Sequence, residues 1–213
     1  MQVERENIRQ ENTDTRRAGL IQATLRVIAK GGVRSATVRS ISKEADVTQG
    51  LIRYYFKNKD ELIAAAYESY MADLVRTADK ASRGQKSAVR RLENFIRVSL
   101  EAPVTSHDSV SIWAGFFETL LHDTRMTASH KRSYDTLRLH LKMMIAEVFK
   151  ETGRVVNDSE LRRLSIAGNA ILDGLWLEGG ALASSFHDDE LVEVGLESFS
   201  AFLGVDLRSP KTT

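Results

Sequence analysis

Gln49 and Arg53 stand one helical turn apart in TVRSISKEADVTQGLIRYYFKNK, residues 37–59. Both side chains can read nucleic acid: glutamine bonds adenine at two edge atoms, and arginine bonds guanine the same way. Tyr54 lies beside them and suits a sugar-phosphate contact. A second set combines aromatic rings with one acid: Trp113, Phe116, Phe117, Asp173 and Trp176. Trp113 and Phe117 are four residues apart and Asp173 and Trp176 three, so each pair can share a helical face. An aromatic wall with a carboxylate can hold a quaternary ammonium by cation–π attraction. The same spacing also describes plain helix core, and Asp173 can simply hydrogen-bond a neighbouring helix. Tyr134 and His122 are further candidates near this set.

The elements that position Gln49 and Arg53 are legible from local rules. Thr37 is a good N-cap, followed on one face by Val38, Ile41 and Ala45. Thr48 is a second N-cap, and Leu51, Ile52 and Tyr55 give the next helix its apolar side. The corner between them is Asp46-Val47. Two helices joined this tightly cross steeply, as in a helix-turn-helix. The preceding helix is predicted over about 15–30, with Leu20, Ile21, Leu25 and Ile28 inward and Gly31-Gly32 as its stop. Residues 1–13 read as a mobile arm from which Arg5 and Arg9, with Arg16 just beyond, can reach DNA; a frayed terminus is the plainer alternative. Asn58 caps a fourth helix with Glu61 three residues on, so Lys59 sits where backbone N–H groups already attract phosphate.

Further helices are predicted over about 87–101, 109–122, 126–150, 158–183 and 188–204, with residues 205–213 as a tail. No strand-like alternation or internal repeat occurs. The expected fold is all-α: a three-helix DNA-binding head over 1–60 and a larger helical body for ligand binding and dimerisation over 61–213.

Composition bounds the function. The chain has 213 residues, is 42% hydrophobic and contains two prolines, which suits long helices around a sizeable core. It has no cysteine, which excludes disulfides and thiolate metal sites and fits a reducing cytoplasm. No apolar run approaches the ~20 residues of a membrane span, and the polar N-terminus lacks a secretory segment. Residues 1–60 carry 12 Lys and Arg against 7 Asp and Glu; residues 61–213 carry 18 against 22. A basic head on a mildly acidic body fits a polyanion-binding head. No catalytic group, cofactor site or metal site is expected. His107, His122, His130, His140 and His187 form no HExxH pair, and there is no phosphate-cradling glycine loop and no GxSxG elbow.

The pattern AT…IS..A.VTQG.I.YYF.NK..L, from about Arg16 to Leu62, resembles the DNA-binding signature of TetR-family transcriptional regulators. Asp46 stands where that family usually has glycine in the turn, a position suited to left-handed backbone that Asp tolerates at some cost. The resemblance implies that Arg39 also reaches a base edge. It implies that Thr37, Thr48, Tyr54, Tyr55 and Lys59 touch phosphate or sugar. It also implies a homodimer through the last two long helices, reading a palindromic double-stranded DNA operator. Gly168, Gly174, Gly179 and Gly180 would offer the approachable surface there, with Val192, Leu196, Phe199 and Leu203 as the apolar stripe. Intrachain packing is the alternative for both sets. SIWAGFFETLLHDTRMTASHKRSY and AILDGLWLEGG resemble the choline-responsive BetI group, with Phe117 and Glu178 departing from that group's usual Trp and Arg. A repressor released by choline or another quaternary ammonium is the implied function. The competing expectation is a helical small-molecule-binding or interaction protein whose head does not bind DNA.

Overall fold

The computed structural model describes residues 2–208, with side chains from Thr13 onward. Nine α-helices and one 3-10 turn make up its elements, with no strand among the described residues. The helices are α1 (Gln2–Ser35), α2 (Val38–Glu44), α3 (Gln49–Tyr55), α4 (Lys59–Ser82) and α5 (Ala88–Leu100). They continue with α6 (His107–Leu120), α7 (Thr124–Glu151), α8 (Asp158–Ala181) and α9 (Glu190–Leu203). No helix among the described residues is long and apolar enough to cross a membrane.

Local chemistry sets the boundaries. Gly31 and Gly32 leave helical geometry, Gly32 at φ 70°, so α1 breaks where the sequence predicts. The chain then runs to Ser35, whose hydroxyl donates to Gly32 O at 2.7 Å. Thr37 caps α2: its Oγ1 accepts from Ser40 N–H at 3.0 Å, and Ser40 Oγ accepts from Thr37 N–H at 2.9 Å. Asp46 takes φ 53°, the left-handed backbone inferred for the turn. Asn157 caps α8, accepting from Glu160 N–H at 2.9 Å.

The chain packs as two compact units, Met1–Tyr70 with Ser111–His130, and Met71–Val110 with Lys131–Thr213. These differ from a division at residue 60, because most of α6 and the start of α7 group with the helix-turn-helix. In the first unit Leu20, Ile28, Ile41, Ile52, Phe56 and Leu62 are at most 2% exposed. Each such side chain contributes about 1.5–3 kcal/mol by leaving water. Arg17 lies 4.9 Å over the Phe56 ring, covering this core from α1.

The second unit is built on contacts among α5, α8 and α9. Val192, Leu196, Phe199 and Leu203 are buried within the chain, so the intrachain alternative holds for this stripe. A Cβ on Gly168 would meet Phe199, and one on Gly180 would meet Val110, so these glycines also serve internal packing. Gly174 alone of the four has nothing within 4 Å. The tail is ordered at least to Leu207, which is fully buried and donates its N–H to Ser200 Oγ at 3.0 Å. The backbone of the expected arm is helical from Gln2. The side chains of Arg5 and Arg9 lie outside the described residues, as do residues 209–213.

Candidate nucleic-acid interface and effector site

The outer face of α3 is bare. Gln49 and Arg53 are exposed, and Tyr54 is 75% exposed although it is a large ring. Ile52 on the opposite side is buried, and Phe56 closes the helix beneath it. Tyr55 is half-buried and meets Tyr54 edge-on at 5.0 Å. Arg39 is exposed in the first turn of α2. Thr37 and Thr48 are exposed caps, the latter accepting from Leu51 N–H at 3.4 Å.

Lys59 is half-buried at the first position of α4. Asn58 Oδ1 accepts from Glu61 N–H at 2.8 Å, and Glu61 Oε2 accepts from Lys57 N–H at 2.7 Å. Behind this surface Glu44 accepts from Arg26 at 2.8 Å and Lys30 at 2.9 Å. Lys30 first, then Arg26, hold its carboxyl below the ordinary range. Those two cations are thereby tied to a carboxylate, while Arg53 and Arg39 project outward.

The aromatic residues expected in one wall divide between the two units. Trp113, Phe116 and Phe117 belong to the first. Trp113 stacks on Phe117 with centroids 4.7 Å apart, and Phe117 stays 40% exposed. Phe116 is fully buried and meets Tyr67 edge-on at 5.1 Å. Tyr67 hydroxyl and His130 Nδ1 lie 2.6 Å apart. Tyr67 and His130 line, with Trp113, Phe116, Phe117, Leu120 and Met126, a narrow gap too small to admit a water molecule. Neither Tyr67 nor His130 was among the predicted site residues. They are 63 positions apart, and only tertiary packing brings them together.

Tyr134, Asp173 and Trp176 belong to the second unit. Trp176 is buried, and its indole N–H donates to Val104 O at 2.6 Å, which ties α8 to the loop before α6. Asp173 accepts from Asn169 Nδ2 at 2.6 Å and from the Tyr134 hydroxyl. It therefore does bond a neighbouring helix. Burial pushes its carboxyl up to about 6, against the opposing pull of Tyr134, Asn169 and the Arg138 charge. Asn169 and Arg138 were missed, although each lies four residues from a predicted partner on the same helix.

Two short helices joined by a tight turn, the second presenting bare glutamine, arginine and tyrosine, define a helix-turn-helix DNA-binding regulator. Residues 20–66 match the family of bacterial regulatory proteins described as the tetR family, and residues 88–204 match the BetI-type transcriptional repressor C-terminal domain. The chain belongs to the TetR family, with a BetI-type C-terminal domain, and its relatives are transcriptional regulators rather than enzymes.

It is 27% identical over 167 residues to the HTH-type transcriptional regulator BetI of Burkholderia ambifaria, covering 78% of this chain and 82% of that protein. It is 28% identical over 182 residues to BetI of Paraburkholderia phytofirmans, covering 85% and 90%. A crystal structure of a candidate transcriptional regulator from Pseudomonas aeruginosa PAO1 superposes with TM-score 0.78 at 29% identity, covering 89% and 90% of the two chains. A Saccharomonospora viridis structure in complex with choline shares the fold at TM-score 0.67 and 18% identity, covering 88% and 95%.

Proposed function

We propose that the chain is a homodimeric repressor of the cytoplasm whose α3 helices read two half-sites of a palindromic operator. The observation that carries the reading is the bare face of Gln49, Arg53 and Tyr54 on a helix whose other side is locked into a core. Gln49, Arg53 and Arg39 would contact base edges. Thr37, Thr48, Tyr54, Tyr55 and Lys59 would hold the backbone and set the register. This assigns DNA contact to residues 1–60 and ligand binding and dimerisation to 61–213. One such helix covers too few base pairs for specificity, so two heads on a two-fold axis are required. Exposed Ala170, Gly174, Leu177 and Val194 on α8 and α9 support that face as the meeting surface.

The effector is choline or another quaternary ammonium. The choline complex of the S. viridis protein on the same fold, and the BetI names of the relatives, support this choice. Within the first unit Trp113, Phe116 and Phe117 would supply ring surfaces for a cation; within the second, Tyr134, Asp173 and Trp176 are a separate candidate set of polar and indole groups. The gap among the first three has no room for a water, so entry of a cation there requires the rings to part. An effector acts by binding one state more tightly, and couplings of ~1–3 kcal/mol change DNA affinity about 5–150-fold. α6 can carry that change: it bears Trp113 and Phe117, while Gly115 and Glu118 on the same helix touch Val33 and Arg34 of α1.

Gel shifts on the chain's own upstream DNA, with and without millimolar choline, test the reading. Expected are a salt-sensitive complex of dimer stoichiometry and its release by choline. Affinity that stays flat between low and moderate salt would refute the electrostatic footing.

A further inference from the structure

Three buried side-chain polar atoms among the described residues of the second unit have no hydrogen-bond partner, and two of them, Nε of Arg138 and Oδ1 of Asn169, belong to one cluster. Asn169 is 2% exposed, and its Nδ2 is committed to Asp173. Asp173 also accepts from Tyr134, and the Arg138 guanidinium lies 5.5 Å over the Tyr134 ring. Buried amide oxygens are satisfied in nearly all folded proteins. Turning the Asn169 amide over does not help, because it would aim Oδ1 at a carboxylate and leave an N–H unmatched instead. The third such atom, His140 Nε2, lies 3.6 Å from Asp79 Oδ1 and outside this cluster's bonds.

The leftover pair is one donor and one acceptor. A quaternary ammonium can satisfy neither. A carboxylate accepts from Arg138 but gives nothing to Asn169. A hydroxyl does both. We propose that Tyr134, Arg138, Asn169 and Asp173 form a subsite for the hydroxyl of a small hydroxylated effector, accepting from Arg138 Nε–H and donating to Asn169 Oδ1. The proposal deepens the ligand-responsive reading and rests on it. Asp173 then acts as a positioning residue rather than a counter-ion. By holding Nδ2 of Asn169 it leaves Oδ1 as the acceptor the ligand meets.

The test uses three ammonium compounds that differ only beyond the trimethylated nitrogen: choline, tetramethylammonium and glycine betaine. Thermal shift and equilibrium dialysis on the full chain should show choline binding about 10-fold or more tightly than either analogue. Asn169→Leu should reduce that preference to less than about 3-fold while leaving the tetramethylammonium affinity unchanged. Arg138→Lys keeps the charge near Tyr134 and removes Nε; it should do the same, and it covers the case in which the leucine variant does not fold. A choline preference retained in a folded variant overturns the subsite, as does equal binding of all three compounds by wild type, which leaves an ammonium effector standing. Binding of none of the three overturns the effector reading and the subsite together.

Discussion

Gly115 of α6 lies so close to Val33 that a Cβ there would sit 3.2 Å from Val33 Cγ2 and 3.3 Å from Val33 N. The neighbour at risk includes backbone, which cannot swing aside as a side-chain end can. Arg34 and Glu118 form an ion pair between the same two helices. Gly115→Leu should therefore destabilise the fold by about 1–3 kcal/mol through overpacking. That exceeds the ~1 kcal/mol that helix propensity returns when glycine is replaced. Chemical denaturation checks the sign, and a stabilised variant would mean the close approach is not kept in solution.

Arg53 and Lys59 should fail differently on DNA. Arg53→Ala is expected to cost about 1–3 kcal/mol on the operator and to relax base choice at one position. Lys59→Ala should weaken all sequences alike and lower the salt slope by about one. Fluorescence anisotropy on operator and scrambled duplexes separates the two outcomes. Equal loss from both would contradict the assigned roles.

The turn before α3 depends on a side chain that accepts left-handed backbone. Asp46→Val should lose about 1–2 kcal/mol, because a β-branched residue at φ 53° is strained. Asp46→Gly should stay near wild type, since relief of strain is offset by the greater freedom of glycine when unfolded. Thermal melts of the pair suffice. Equal melting temperatures for Val and Gly would show that left-handed backbone at this position does not limit stability.

Asp173 ties stability to pH in the opposite sense from a salt-bridged acid. Its carboxyl rises from the ordinary 3.8 to about 6 in the folded chain, chiefly through burial. Between those values the folded state holds the proton more tightly, so stability falls as pH rises from about 4 to 6 and levels off above. Tyr134, Asn169 and Arg138 all act on this group and pull the other way. Asp173→Asn should flatten that part of the profile; urea melts from pH 4 to 7 measure it. An unchanged slope would show that another group is responsible.

Caps and breaks were legible in the sequence because their chemistry is local. Thr37, Thr48 and Asn58 each bond an N–H three residues ahead, and Gly32 turns the chain by itself. The bare side of α3 was legible too, since a seven-residue helix with one apolar side leaves Gln49, Arg53 and Tyr54 little choice. The apolar stripe of α9 was visible, but not what it packs on. Burial against α5 and α8 is a tertiary outcome, and the same four side chains would suit a partner subunit equally well. The grouping of α6 with the head was not legible, because Gly115 and Val33 are far apart in the chain. Nor was the Tyr67–His130 pair, which no spacing rule connects.

Leu207 bears on how the molecule can be shortened. It is sealed from solvent, and its N–H is the donor to the Ser200 hydroxyl, while Arg154 Nη1 donates to Leu203 O at 2.5 Å nearby in the chain. Ending the polypeptide at Gly204 would strip a leucine's worth of greasy cover from the last helix. Such a truncate should handle poorly, clumping through newly bared surface, even though every residue named in DNA or effector recognition would still be present.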